Sequence, residues 1–304
     1  MGISALVIGH GAIGRRHARI LSNMDTIKKV TVLSSQSHLC FDTIHTLDEI
    51  AEIDPDYIVI ASNTALHFKH LSFLEEMFER KVILVEKPLF EAVHNLAPVK
   101  NSVWVAYLLR FHPILKMIKK KISKKKLWNI NIFCGSYLPE WRPGRDYRET
   151  SSARKDSGGG VLLDLSHELD YLQWLIGPID LDYVYNGKVS SLEIETDDLL
   201  TIDGHSANGV RVHISLNYFT RKPIRQIIID GENISIQADL VSIQAMVHMD
   251  GKFKEYSWKD IGMDQICREE HESVIKNDNS YACTYAEGLE TMYLIDQIKD
   301  FKQV

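Results

Sequence analysis

Two apolar patterns divide this chain. In its first part, short and nearly continuous apolar runs alternate with stretches of helical spacing. The runs Ile3–Ile8, 29–33, 57–61, 82–85 and 103–108 read as strands buried on both faces, and residues 15–24, 67–80 and 113–121 read as helices. Strand and helix in turn, with short loops, predict a doubly wound parallel sheet of α/β type. From Leu127 onward strand-like runs recur at 129–135, 181–185, 199–203, 210–218, 225–230, 233–239 and 242–248, with few helices between them. Asp203-Gly204, Asp230-Gly231 and Asp250-Gly251 are hairpin signals. This second pattern predicts an α+β domain built on a large, open, mostly antiparallel sheet. The boundary is expected at the lysine-rich stretch, giving domains 1–119 and 120–304. A last helical stretch, 285–301, carries Leu289, Met292, Tyr293 and Ile295 at packing intervals and is expected to return towards the first domain.

Composition narrows the classes. The 304 residues suffice for two ordinary domains, and 45% hydrophobic with 25% charged residues is the balance of a globular protein. A net charge of -6 disfavours a nucleic-acid partner, and the lysines between Lys116 and Lys126 read as a solvated helix face and turn. Cys40, Cys134, Cys267 and Cys283 form no CxxC pair, which suits structural thiols in a reducing compartment and predicts no metal site. No apolar run is long enough for a bilayer and no leader pattern precedes the first strand, so the expected setting is cytoplasmic, without membrane partners.

Candidate chemistry then enters at three places. Gly9-His-Gly-Ala-Ile-Gly14 follows a strand and opens a helix. In that context Gly9 permits the tight turn, Gly11 lets a pyrophosphate approach the backbone, and Gly14 lets helix pack on strand, with Ala12 and Ile13 offering N–H groups. The first domain is therefore expected to be a Rossmann-type dinucleotide site. No acid stands at the end of the second strand, where Ser34 and Ser35 lie instead, and none follows until Asp42. With Arg15 nearby this tilts the cofactor towards NADP, with NAD left open. Ser62, Asn63 and His67 follow the third strand, where the nicotinamide half would lie; His67 equally suits a helix cap. The run at 82–85 ends in Glu86-Lys87-Pro88, which would face the ligand at a sheet edge, although taken alone it is also a common surface turn. Arg110 and His112 lie just past the next strand and face the same crevice.

The other two places fall in the second domain. Trp141-Arg-Pro-Gly-Arg-Asp-Tyr-Arg148 supplies Arg142, Arg145, Tyr147 and Arg148, suited to an anionic sugar or to a plain surface loop. The segment from Ser157 to Gly177 opens with three glycines and continues as a helix that places Asp164, His167 and Asp170 three residues apart. A carboxylate near an imidazole orients an acid/base group.

Gly9-x-Gly11-x-x-Gly14, Glu86-Lys87-Pro88, Arg110-Phe-His-Pro113 and the Gly158-Gly-Gly160…Asp164…His167…Asp170 segment, in that order, resemble the Gfo/Idh/MocA oxidoreductases. The resemblance implies catalytic roles for Lys87 and His167, with Asp164 as the orienting acid. Asp164 departs from the usual family spacing by standing three residues before the histidine. It also implies cofactor contacts around Glu86, substrate contacts around His167, and a homodimer or homotetramer. The expected activity is hydride transfer between NAD(P) and a secondary alcohol or ketone of a sugar. The loop 141–148 with the glycine segment resembles members of bacterial surface-polysaccharide and nonulosonate pathways. The alternatives are a cofactor- or sugar-sensing regulator on the same fold, and a dehydrogenase of inositols or other non-sugar substrates.

Overall fold

The computed structural model describes residues 2–302, and these divide into two compact units. The first comprises the chain up to Phe111 together with Gly262–Met292; the second comprises His112–Ile261 and the chain from Tyr293 onward.

In the first unit, β1 (Ile3–Ile8), α1 (Ala12–Ser22), β2 (Ile27–Leu33), β3 (Asp42–Ile44), α2 (Ile50–Ile53), β4 (Tyr57–Ile60), α3 (His67–Met77), β5 (Val82–Val85) and β6 (Ser102–Val105) follow in order. The sheet order is β6-β5-β4-β1-β2-β3, all parallel. The chain leaves β1 in one direction through β2 and returns to β4 on the other side, so β1 marks the point where strand order reverses. β4 and most of β1 and β5 are buried, as their continuous apolar runs require.

The second unit opens with α4 (Pro113–Ile122) and β7 (Leu127–Gly135), then α5 (Val161–Asp164) and α6 (His167–Ile176). Seven strands follow: β8 (Ile179–Gly187), β9 (Leu199–Ser206), β10 (Arg211–Asn217), β11 (Ile224–Gly231), β12 (Ile234–Asp239), β13 (Gln244–Met249) and β14 (Lys252–Ser257). They form one eight-stranded sheet, β14-β13-β12-β11-β7-β10-β9-β8, antiparallel except where β10 lies parallel to β7. Alternation is clean in β9, where every second residue is buried.

Asp203-Gly204, read as a hairpin turn, lies inside β9 and pairs with His213 and Val212 of β10. Three further features depart from the sequence reading. First, the chain returns to the first unit earlier than its last helix, through α7 (Met263–Ile275) and β15 (Cys283–Thr284), before α8 (Tyr285–Asp300). β15 adds an antiparallel edge strand beside β6. Helix α7 escapes the periodicity because its buried stripe carries Cys267, Glu270, His271 and Ser273 among few apolar side chains. Second, the edge strand β14 is mostly exposed and lacks a buried alternation. Third, the expected single helix after the glycines is broken. Between α5 and α6 the backbone tightens to three-residue bonding, Ser166 N–H to Leu163 O and Glu168 N–H to Leu165 O. Asp164 and His167 therefore belong to different helices.

Candidate active site

The carboxyl ends of the parallel strands form a continuous step in the first unit. Gly9 N–H donates to Leu33 O, Ala61 N–H to Ile8 O, Glu86 N–H to Ile60 O and Ala106 N–H to Val85 O. The glycine turn after β1, Ser62-Asn63 after β4 and Glu86-Lys87-Pro88 after β5 thus share one edge.

The glycine turn tests whether a dinucleotide fits. Gly9 sits at φ +101, and a Cβ there would meet Ala61 O at 2.6 Å. A Cβ on Gly14 would meet Gly9 O at 2.1 Å, so helix and strand pack without room for a side chain. Nothing lies within 4 Å of a Cβ built on Gly11, the residue that precedes α1. Backbone is bare where a pyrophosphate would approach the N-terminal turn of an eleven-residue helix, begun by Ala12 and Ile13. The residues fit the group. At the β2 end Ser34 is buried, its hydroxyl accepting from Gln36 N–H, and Ser35 is exposed. Asp42, the first acid beyond them, pairs with Lys29 at 2.7 Å. Arg15 is exposed and borders an open groove of about 520 Å³ with Ala12, Ile13, Arg16 and Arg19.

The residues after β4 are held locally. Asn63 accepts from Ala65 N–H and begins a short turn into α3. Ser62 hydroxyl lies 3.0 Å from His70 Nδ1, and burial depresses His70 to about 4. His67 is buried, with Nδ1 near Pro88 O and Leu89 O and Nε2 near Ser62 O. It therefore ties the β4 turn to the Lys87 turn, which suits neither a plain helix cap nor an exposed cofactor contact.

Lys87 is half-buried and precedes a cis Pro88. Glu86 before it is 7% exposed; one carboxylate oxygen meets His17 Nε2 at 2.8 Å and the other accepts from Lys87 N–H at 3.0 Å. Burial alone would raise this acid, but the His17 hydrogen bond, with the charge and backbone N–H of Lys87, brings it below the ordinary carboxylate value. Arg110 is 2% exposed and pairs with Glu287 at 3.0 Å. Glu287 itself closes a capping box with Thr284 at the start of α8.

The second unit holds the other residues. Gly160, at φ +115, allows no Cβ, because one would stand 2.2 Å from Asp197 Oδ1. Asp197 accepts from Leu162 N–H and so pins the start of α5; burial, with Asp164 and Asp198 nearby, raises its carboxyl. Asp164 accepts from the Tyr218 hydroxyl at 2.6 Å. Tyr218 and Asp197 were not foreseen; Tyr218 directly follows β10 and Asp197 lies in the turn before β9, far in sequence from the glycines. His167 is 8% exposed and opens α6. Its neighbour Glu168 is fully buried against Arg225, Nε to Oε1 at 2.8 Å. His112 is 1% exposed and accepts from Ile114 N–H as the cap of α4. Burial, then the Arg225 charge, depresses it to about 4.

The arginine loop is divided in its duties. Arg148 pairs with Asp146 at 2.7 Å and Glu193 at 2.9 Å, and Tyr147 hydroxyl accepts from Glu193 N–H. Arg142 and Arg145 are exposed beside a small cleft that Leu138, Trp141 and Ser152 also line. Trp141 packs edge-on against Tyr218 at 5.2 Å.

A glycine turn of this geometry at the reversal point of a parallel sheet defines a dinucleotide-binding protein. Comparison with known proteins agrees. Residues 3–103 match the model of the oxidoreductase family with an NAD-binding Rossmann fold, and residues 115–237 match that of the GFO/IDH/MocA C-terminal domain. The chain belongs to the Gfo/Idh/MocA family of NAD(P)-dependent oxidoreductases. A curated relative, the uncharacterized oxidoreductase sll0816 of Synechocystis sp., is 23% identical over 160 residues. That match spans 50% of this chain and 43% of the relative, less than half its length. Among solved structures, UDP-N-acetylglucosamine 3-dehydrogenase GnnA from Acidithiobacillus ferrooxidans is 16% identical with a TM-score of 0.79, over 98% of this chain and 97% of that one. The WlbA dehydrogenase from Bordetella pertussis, in complex with NADH and UDP-GlcNAcA, is 19% identical with a TM-score of 0.79, over 98% and 94%. A levoglucosan dehydrogenase in complex with NADH is 17% identical with a TM-score of 0.84, over 99% and 96%. At these identities the likeness is one of fold. No helix among the described residues is long and apolar enough to cross a membrane.

Proposed function

We propose that the protein transfers a hydride between NAD(P) and a secondary alcohol or ketone of an anionic, sugar-like substrate. The observation that carries the reading is the shared strand edge, where a turn built for a pyrophosphate stands in line with Lys87. The bound nicotinamide would supply the hydride acceptor or donor. Lys87 would stabilise charge on the substrate oxygen, and His167 would take or return the hydroxyl proton, with Asp164 fixed by Tyr218 as its orienting acid. Arg142 and Arg145 would hold the anionic group, while Arg148, engaged with two acids, would stiffen the loop. GnnA and WlbA, dehydrogenases named with UDP-sugars, support a nucleotide-linked or acidic sugar, and the resemblance of loop 141–148 supports a place in surface-glycan synthesis. Serines at the β2 end, an occupied Asp42 and an exposed Arg15 support NADP.

The test is nicotinamide absorbance with each cofactor against UDP-sugars, uronic and nonulosonic acids, free sugars and inositols, in both directions. Lys87→Met is expected to lower turnover by roughly 10²–10⁴-fold while cofactor affinity holds. Unchanged turnover in that variant would sink the assignment; cofactor binding without turnover of any panel member would point to a sensor. The second unit exposes Met246 in a groove of about 440 Å³ on its sheet, and elsewhere Phe253 and Val241, which supports a homo-oligomer. Light scattering that returns a monomer mass would remove that part.

A further inference from the structure

A chain of buried polar groups runs through the first unit behind Lys87. Tyr57 hydroxyl lies 2.7 Å from His271 Nδ1, His271 Nε2 lies 2.9 Å from His17 Nδ1, and His17 Nε2 lies 2.8 Å from Glu86 Oε1. Exposure is 1% at Tyr57, 0% at both histidines and 7% at Glu86. Three elements far apart in sequence meet here: β4, α1, and the returning helix α7.

With both imidazoles neutral and the acid ionised, the donors and acceptors admit one consistent order. Tyr57 donates to His271 Nδ1, since burial keeps the phenol protonated. His271 then carries its proton on Nε2 and donates to His17 Nδ1, and His17 donates from Nε2 to the carboxylate. Reversing every link would protonate Glu86 and turn the Tyr57 hydroxyl proton away from His271. The Lys87 N–H donating to Glu86 and the nearby Lys87 charge favour the ionised order.

The same cluster brings Cys267 Sγ to 3.9 Å from His17 Nδ1, and the ligand-type atoms of His17, Cys267 and His271 lie within 4.8 Å of one another. A metal ion there would need the lone pairs of His17 Nδ1 and His271 Nε2 together. Those two nitrogens already share a proton.

We propose that His17 and His271 are positioning residues that hold Glu86 as a fixed anion directly before Lys87, and so orient the lysine for catalysis. The catalytic part rests on the proposed role of Lys87. Neither histidine touches the glycine turn's bare edge at Gly11, so cofactor affinity is expected to be independent of the chain. His271→Phe keeps a ring in the buried site but removes the donor to His17. His271→Gln places an amide N–H where Nε2 stands.

The expected result is a kcat about tenfold lower in His271→Phe, with cofactor KM within about twofold, and recovery of most of the loss in His271→Gln. Equal impairment in both variants, or none in either, would overturn the proposal. Imidazole ¹⁵N correlation spectra of the wild-type protein give a readout independent of turnover and of variant folding. Neutral rings with the proton on Nε2 in both His17 and His271 are expected. An Nδ1 proton, an imidazolium, or stoichiometric zinc in the purified protein would overturn it. If the wild type turned over no substrate, the Lys87 role would fall, and the spectra would still decide the order of the chain.

Discussion

In the first unit Lys87 follows a buried carboxylate, Glu86, that is held by the His17 imidazole and a backbone amide. In the second, His167 precedes a buried carboxylate, Glu168, that is held by a guanidinium. The two acids occupy mirror places in their motifs and do different work. The Lys87 charge and the His17 hydrogen bond together hold Glu86 below the ordinary carboxylate value. Arg225 pairs with Glu168, its Nε 2.8 Å from Oε1. Glu86 stands beside the lysine charge; Glu168 anchors the start of α6 against β11.

The sharpest way to break this comparison is Arg225→Met. Glu168 is fully buried and Arg225 only 23% exposed, so the variant leaves a buried carboxylate without its counter-charge. A loss of about 3–5 kcal/mol in unfolding free energy is expected by urea denaturation. A loss under about 1 kcal/mol would mean that the pair is solvated and the anchor idea wrong. The hydrogen-bonded chain of the first unit predicts the opposite balance for His271→Phe, with a larger effect on kcat than on stability.

How far the sequence disclosed this follows from the range of the forces involved. The glycine turn, the strand ends and the Glu86-Lys87 turn are local, because each depends on an apolar run and the few residues after it. The partners that decide their electrostatics are not local. His17 reads as one more residue on α1, and His271 sits on a helix whose buried face is too polar for periodicity to detect. Tyr218 and Asp197, which fix Asp164 and the glycine segment, are brought there only by the pairing of β10 with β7 and β9. Asp–x–x–His spacing suggested one helix, yet Gly160 locked against Asp197 and tightened bonding at 163–168 split it in two. The arginine loop shows the same limit, since composition could not tell Arg148, tied to Asp146 and Glu193, from Arg142 and Arg145.

The smallest effect at neutral pH, and the finest probe of the Arg225 field, is His112→Asn. His112 must stay neutral, because Nδ1 accepts from Ile114 N–H while the ring also bonds Leu240 backbone. Burial first, and then Arg225, hold its folded pKa at about 4, against an ordinary imidazole near 6.5. Between those values the unfolded chain binds the proton and the folded one does not, so stability rises with pH. The contribution is complete above about 6.5 and is lost as pH falls towards 4, at about 1.4 kcal/mol per pH unit. Asparagine can still cap α4 but cannot titrate. The variant should therefore lose some packing stability at pH 7.5 and show a pH slope shallower by about one proton between 6 and 4.5, measured as urea midpoints. His67, His70 and His271 are depressed in the same direction and remain in both proteins, so they cancel in the difference. An unchanged slope would mean that His112 is already charged in the folded state, and the guanidinium that neutralises Glu168 would then not reach it.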